Sequence, residues 1–260
     1  MQNTVRKQLF TAALALFVCA AAHAAPCNTT TDESAVTPLL YSAREGNAGN
    51  VRCLLDSGSP IDAPDDDGWT ALMFAASEGQ TDTVRLLLDK GANPNAVEKD
   101  GWTALMSAAG NGHTDTARLL LDRGANIHAS TEKGGSALMV AATRGQFGTA
   151  RLLLERGANP NADNKQHGAT ALMMAAGGGH TDIARLLLDK GANPNAASAD
   201  ERWTALMLAA QEGRSDTARL LLDRGAQVDA ANKQGLTALM IATANGHTAV
   251  ANMLRAAGAK

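Results

Sequence analysis

The chain repeats one unit of 33 or 34 residues, and this internal repetition constrains its fold more than any other feature of the sequence. A Thr-Ala-Leu tripeptide or a close variant recurs seven times, with its first residue at Thr37, Thr70, Thr103, Ser136, Thr170, Thr204 and Thr237. A fixed period of this length is typical of proteins built by stacking small structural units. We therefore predict a repeat domain over 37–260, with seven copies that begin near residues 35, 68, 101, 134, 168, 202 and 235.

The third copy, residues 101–133, illustrates the local structure that each unit predicts. Thr103 precedes a short apolar segment that we expect to form a helix ending near Gly112. Thr114 is suited to cap a second helix, and Gly124 follows that helix where left-handed backbone is wanted. Neither helix is long enough to be stable alone, so neighbouring units must cover each other's Ala and Leu side chains. The predicted fold class is all-α, a solenoid of seven helix-turn-helix units joined by extended turns, here called fingers.

These motifs resemble the ankyrin repeat, whose signature is Thr-Pro-Leu-His-x-Ala-Ala, Gly-His, a Leu-rich second helix and Gly-Ala-Asp-x-Asn-Ala. The matching stretches are TALMSAA (103–109), GH (112–113), ARLLLD (117–122) and GANPNA (91–96). The resemblance covers 37–260 and implies that the fingers and the first helices form a concave surface that faces a protein partner. The inner copies carry Ala-Met in place of the family's Pro-His, so the hydrogen bonds of that His must be absent or replaced.

Methionines and histidines recur at fixed positions of the unit. Because Met fills irregular gaps, we interpret the methionine column as core; an oxidation sensor is the alternative, since sulfoxide would loosen the stacking. The column consists of Met73, Met106, Met139, Met173, Met207 and Met240. His113, His180 and His247 share another position, and we expect each to order the turn between its own two helices, because no nucleophile accompanies it.

Residues 1–24 have the organisation of a secretory signal peptide. Arg6 and Lys7 are followed by an apolar run over 9–22 that is too short to span a bilayer, and then by a small-x-small cleavage pattern at 22–24. We therefore expect export to the periplasm, with secretion as the alternative, a flexible leader over 25–36 and no membrane span after cleavage. Removing Arg6 and Lys7 leaves 21 basic against 26 acidic residues, a net charge of −5, and we expect a monomer.

Two cysteines, Cys27 and Cys53, remain after cleavage. An oxidising compartment favours a disulfide between them, and two free thiols are the alternative.

No motif of a catalytic, metal or cofactor site is present, so we predict neither enzyme activity nor a cofactor. The sequence lacks a phosphate-binding loop, a nucleophile elbow, a His-Glu-x-x-His segment and a Cys pair at zinc spacing. Its negative charge also disfavours a nucleic acid as partner. A hydrolase-type catalyst remains an alternative at two fingers, 159–167 and 193–201, that are one residue longer than the others. His167 and Arg202, which replaces the usual finger Gly, lie there.

The resemblance also implies which positions face a partner. Trp69, Trp102 and Trp203 all follow the finger Gly position, and exposed Trp is typical of interaction hot spots; alternatively, each indole lies flat on its own finger. The candidate partner-binding residues are Asp66, Asp67, Trp69, Glu78, Lys99, Asp100, Trp102, Asn111, Arg144, Trp203 and Glu212. The acidic residues beside Trp69 favour a basic partner.

The predicted function is therefore non-catalytic binding of a protein partner. The chain would act either as a periplasmic inhibitor or immunity protein, or as a protector of a periplasmic enzyme, including one used in oxidative defence. A purely structural spacer is a further alternative.

Overall fold

The computed structural model describes residues 27–29 and 37–260, and the latter belong to one compact unit. The predicted signal peptide lies outside the described residues, as does most of the predicted leader. The described part forms fourteen helices in seven consecutive pairs: α1 Pro38–Arg44, α2 Ala48–Asp56, α3 Ala71–Ser77, α4 Thr81–Asp89, α5 Ala104–Gly110, α6 Thr114–Asp122, α7 Ala137–Thr143, α8 Phe147–Glu155, α9 Ala171–Gly178, α10 Thr181–Asp189, α11 Ala205–Gln211, α12 Ser215–Asp223, α13 Ala238–Ala244 and α14 Thr248–Ala256.

The odd-numbered helices are here called inner and the even-numbered helices outer. Each inner helix packs against its outer partner and against the inner helices of the neighbouring pairs. Extended pairing is limited, in the described residues, to isolated antiparallel bridges that close four fingers, such as the bridge between Ser130 and Ser136. The all-α solenoid is therefore confirmed. No helix of the described residues combines the length and apolar character needed to cross a membrane.

The repeated Thr or Ser is the N-cap of every inner helix. Its backbone is extended, and its side-chain oxygen accepts a hydrogen bond from the N–H group three residues later, as between Thr103 and Met106 at 3.3 Å. This bond satisfies one of the donors that a helix start leaves unpaired. The most regular feature of the sequence thus marks where each helix begins.

The outer helices begin one residue before the position expected from sequence. His113, not Thr114, is the N-cap of α6, and the His side chain makes no capping bond. The Thr114 hydroxyl instead hydrogen-bonds to Thr149 of the next copy at 2.9 Å, so this Thr links units rather than capping a helix. Gly124 follows α6 with φ of +87°, as predicted for a helix end.

The methionine column is core in five of its six positions. Met73, Met106, Met173 and Met207 are each 1% exposed, because the next unit covers them. Met240 is 49% exposed, so the core interpretation is wrong there. Met240 lies on α13, which together with α14 forms the last helix pair of the described residues.

The residue before each outer helix from α4 onward donates a side-chain hydrogen bond to the inner helix of the preceding copy. Carbonyl oxygens at the ends of helices lack intrahelical donors, and these side chains supply one. The histidines therefore tie their own unit to the previous one, a contact that the expectation of a role in their own turn did not include. The bonds run from Gln80 to Arg44 O (3.3 Å), His113 to Ser77 O (2.9 Å), Gln146 to Gly110 O (3.3 Å), His180 to Thr143 O (3.2 Å), Arg214 to Gly177 O (3.2 Å) and His247 to Gln211 O (2.9 Å).

A second column of side-chain acceptors joins the loops that follow the outer helices. In each case an Asn or Asp oxygen accepts the backbone N–H of the following copy. The bonds are Asn93 N to Asp62 (3.0 Å), Asn126 N to Asn95 (2.7 Å), Asn193 N to Asn161 (2.8 Å), Gln227 N to Asn195 (2.7 Å) and Lys260 N to Asp229 (3.0 Å). Between copies 3 and 4 the column is interrupted within the described residues: His128 occupies the acceptor position and does not bond to Asn159. A cavity of about 230 Å³ lies between these two residues.

Cys27 and Cys53 are each disulfide-bonded. Their pairing with each other stays a prediction.

Candidate functional site

Each finger from copy 2 onward is held by one side-chain acceptor near its start. Asp65 Oδ1 accepts the backbone N–H groups of Asp67 (3.0 Å) and Trp69 (2.8 Å). Glu98 Oε1 does the same for Asp100 (3.0 Å) and Trp102 (2.8 Å). The later fingers use Thr131 for Gly135, Asn164 for Ala169, Ser198 for Trp203 and Asn232 for Leu236. The backbone that carries each Trp is thus fixed by another residue of its own finger.

Neighbouring fingers are also joined through their backbones. Lys99 N donates to Asp67 O at 3.2 Å, and Glu132 N donates to Asp100 O at 2.9 Å. The surface formed by the fingers together with the inner helices is here called the finger face. Because both side-chain and backbone bonds fix the fingers, this face presents side chains from successive copies in a defined order.

The finger face of copies 2 to 4 contains a cavity of about 310 Å³, here called the first cavity. It brings together five of the predicted partner-binding residues, although they come from three different copies. Its lining residues are Trp69, Ser77, Glu98, Asp100, Trp102, Ser107, Gly110, Asn111 and Arg144. Two indoles and three charged side chains therefore face one concavity.

The indoles of the first cavity are half-buried rather than fully exposed. The Trp69 ring lies against the Phe74 ring of its own copy, with centroids 5.2 Å apart and an interplanar angle of 44°. This contact agrees in part with the interpretation that an indole stabilises its own unit. The rest of each ring remains available to a partner, because both Trp residues line the cavity.

Polar side chains form the far end of the first cavity and connect the ends of three inner helices. Asn111 Nδ2 donates to the carbonyl oxygen of Ser77 at 2.9 Å. Arg144 Nη1 in turn donates to Asn111 Oδ1 at 3.4 Å. A chain of side-chain bonds therefore joins copies 2, 3 and 4 along this end, and it holds the Arg144 guanidinium at the copy 4 side.

Four predicted residues lie outside the first cavity but on the same part of the finger face. Asp66, Asp67, Glu78 and Lys99 are all exposed. Lys99 Nζ lies 3.7 Å from Asp67 Oδ1, and an exposed pair of this kind contributes little to stability. These four residues leave the region with more acidic than basic side chains.

Trp203 belongs to a separate place on the finger face. It borders a second cavity of about 290 Å³, whose lining residues are Trp203, Gln211, Leu236, Met240, Ile241, Ala244 and Asn245. Glu212 is exposed, does not line this cavity and accepts a hydrogen bond from Gln211 at 3.1 Å. Between the two cavities the position of the Trp is occupied by Gly135 in copy 4 and by Ala169 in copy 5.

The two longer fingers bring His167 next to Asp200. His167 Nδ1 lies 2.8 Å from Asp200 Oδ2. Hydrogen bonds from Ser198 and from the backbone of Glu201, helped by His167, hold the pKa of the Asp200 carboxyl below its ordinary value. The Ser198 side chain bonds to Asp200 and to Trp203 N, and no hydroxyl or thiol of the described residues bonds to the His167 ring. A nucleophile paired with a base, which covalent hydrolysis requires, is therefore not formed here.

The sequence reasoning missed Glu98 and Ser107, which also line the first cavity. Glu98 lies three residues before its finger Gly, whereas the resemblance to ankyrin repeats implied exposure only for the two residues directly before that Gly. A signal was available, because Asp65 provides a carboxylate at the same position of copy 2. In the described residues, no group of three or more His, Cys, Asp or Glu side chains is arranged to hold a metal ion.

Comparisons with known proteins agree with this architecture. A sequence model described as "Ankyrin repeats (3 copies)" matches residues 8–98, 90–164, 128–198, 160–232 and 197–260. Among the solved structures that match is the human ASB11 ankyrin repeat domain, with 25% sequence identity and a TM-score of 0.77. The match covers 86% of this chain and 99% of that domain. The search of curated proteins found no match.

Proposed function

The chain belongs to the ankyrin-repeat family, and we propose that its finger face binds a protein partner without catalysing a reaction. Ankyrin repeats are protein-protein interaction modules, and a stack of them provides an extended surface rather than a single pocket. The inner helices and fingers described above form such a surface over copies 2 to 7.

The observation that carries the proposal is the first cavity. It combines two half-buried indoles with charged groups at its edge, a composition typical of the positions that dominate binding energy in protein interfaces. Asp65 and Glu98 hold the backbone N–H groups of the two Trp residues before any partner arrives, so little backbone freedom is lost when the partner binds.

The proposed place of action is the periplasm. The signal-like residues 1–24 support export, and the disulfide-bonded state of Cys27 and Cys53 fits an oxidising compartment. In that compartment the chain would act either as an inhibitor of an enzyme or as a protector of one, including an enzyme of oxidative defence.

The test is capture of a partner from periplasmic extract by the purified chain that begins at Ala25. A Trp69→Ala/Trp102→Ala variant should capture the partner at least tenfold less well, because interface Trp residues commonly contribute more than about 2 kcal/mol each. The matched control is Arg118→Ala on the exposed side of outer helix α6, which should capture normally. Circular dichroism verifies that both variants remain folded.

Capture that is equal for the wild type and the double-Trp variant would contradict the proposed function. Once a partner enzyme is isolated, its activity is measured with and without the chain. Reduced activity supports an inhibitor, and activity maintained during storage or peroxide treatment supports a protector.

A further inference from the structure

We propose that the first cavity binds an arginine side chain from a basic segment of the protein partner. This assignment rests on the proposed function and adds the chemistry of the group that is bound. The partner's guanidinium would lie against the indoles of Trp69 and Trp102, with the carboxylates of Glu98 and Asp100 beside it.

The aromatic part of the argument concerns the two indoles. They stand at the same position of adjacent fingers and line one cavity of about 310 Å³. This volume is at the lower end of the range for ligand pockets, which suits a single side chain better than a large cofactor. Trp provides the most favourable aromatic face for a cation, and the contact with Phe74 fixes one of the two rings.

The electrostatic part concerns Glu98, which is only 8% exposed. Its Oε1 accepts two backbone hydrogen bonds, whereas its Oε2 accepts none from the described residues and is reached by solvent. An incoming guanidinium could therefore donate to Oε2 and place its charge beside a largely buried carboxylate. Asp100 adds a second carboxylate to the lining, and Asp66, Asp67 and Glu78 are acidic nearby.

Arginine fits these groups better than lysine does. Its planar guanidinium stacks on aromatic rings and donates in parallel to a carboxylate, whereas the lysine ammonium is a compact, strongly hydrated charge. Arg144 is the one cation of the lining, and its bond to Asn111 holds it at the copy 4 end. Arg144 should therefore repel the incoming cation. Removal of its charge should strengthen binding, whereas removal of the Asp100 charge should weaken it.

The experiment uses two short peptides, acetyl-Gly-Arg-Gly-amide and its citrulline counterpart, which has nearly the same shape and no charge. The chain has three Trp residues, so indole N–H signals in NMR spectra can be assigned by single Trp→Phe variants. The arginine peptide should shift the signals of Trp69 and Trp102 and bind at least fivefold more tightly than the citrulline peptide. The signal of Trp203 is the internal control, because no charged residue lines the second cavity.

Two variants test the charge dependence. Asp100→Asn should weaken binding of the arginine peptide about fivefold, and Arg144→Gln should strengthen it about threefold, because each changes one charge at the cavity. Neither variant removes a side-chain acceptor that holds a finger. Equal binding of the two peptides, no response to either variant, or an equal response of all three indoles would overturn the proposal.

The two proposals fail in different ways. If partner capture depends on Trp69 and Trp102 but the peptides are not distinguished, the arginine assignment is wrong and the proposed function stands. If the double-Trp variant captures the partner as well as the wild type does, the proposed function itself is wrong.

Discussion

Each finger from copy 2 onward has one position with left-handed backbone. Arg202 is the exception at this position, because the other copies carry Gly there. The finger position before the Trp column is Gly in the other copies from copy 2 onward, with φ of +68° at Gly168 and +77° at Gly235. Arg202 adopts φ of +58° at this position, and it is the only residue other than Gly with positive φ in the described part of the chain. Left-handed backbone is unfavourable for a residue with a Cβ atom, so this finger stores strain.

Replacing Arg202 with Gly should stabilise the protein. The substitution removes about 1–2 kcal/mol of backbone strain from the folded state. It also lowers stability by about 0.5–1 kcal/mol, because Gly gives the unfolded chain more conformational freedom. We expect a net gain of roughly 0.5–1 kcal/mol in the free energy of unfolding, measured by urea denaturation. The matched control is Gly235→Ala, whose added Cβ would meet no atom within 4 Å, so its expected net loss of roughly 0.5–1 kcal/mol contains the same two backbone contributions with opposite sign and no steric clash. A less stable Arg202→Gly variant would contradict the argument.

Consecutive helix pairs are tied by the side chain that precedes each outer helix from α4 onward. Three chemically different side chains fill this position, as His113, Gln80 and Arg214 show. Each donates to a carbonyl oxygen at or next to the end of the inner helix of the preceding copy. The carbonyl acceptor means that Nε2 of His113 carries the proton. The position therefore requires a side chain that is long enough to donate to this carbonyl oxygen. His, Gln and Arg all meet this requirement in the described copies.

A pair of substitutions at His113 tests this equivalence. His113→Ala removes one of the two side-chain donors to the Ser77 carbonyl, Asn111 being the other, and should cost about 0.5–1 kcal/mol of unfolding free energy. His113→Gln should retain most of the stability, because Gln80 and Gln146 make the same bond in their own copies. Urea denaturation of the two variants at neutral pH compares them directly. Equal losses in both would show that the hydrogen bond is not what the position provides.

The helices could be predicted from sequence because each copy repeats the same local pattern. Ala104–Gly110 and the left-handed Gly124 lie where periodicity and capping rules place them. The start of α6 was wrong by one residue, because the Thr114 hydroxyl bonds to Thr149 in the next copy. Bonds between residues more than 30 positions apart depend on the distance between units and on rotamers, neither of which a one-dimensional pattern contains.

In the stack as a whole, copies 3 and 4 lack one bond that the other neighbouring copies share, although their inner helices α5 and α7 pack as closely as the others. The column of Asn and Asp acceptors is interrupted there by His128, and the cavity of about 230 Å³ lies at the same place. Since a repeat protein gains its stability from interfaces between neighbours, a weak interface is where the stack should open first.

Restoring the acceptor should strengthen that interface. His128→Asn allows a bond to Asn159 N and a second bond to Gly157 O, as Asn95 makes to Asn126 N and Gly124 O. We expect a gain of about 1 kcal/mol, since each bond contributes roughly 0.5–1.5 kcal/mol and the new side chain must be ordered. Hydrogen exchange should show slower exchange for amides of α6 to α8. The control Asn95→Ala removes the same two bonds one copy earlier and should have the opposite effect.

The candidate site could be predicted by position but not by grouping. The resemblance to ankyrin repeats predicted that Trp69, Trp102, Asn111 and Arg144 face a partner, yet it gave no reason to combine them in one cavity. They share one cavity because fingers of two copies meet inner-helix ends of three. Met240 is the reverse case, because its position in the methionine column predicted core and the structure leaves it 49% exposed.

In each finger the residue that fixes the backbone is distinct from the residue in the Trp column, although Glu98 both fixes its finger and lines the first cavity. Asp65 and Glu98 secure turns that display indoles, while Thr131 and Asn164 secure turns that display almost nothing at Gly135 and Ala169. A substitution in the Trp column can therefore change the chemistry that one finger offers to a partner. The side-chain acceptors that hold the fingers, and with them the helix stack, would stay the same.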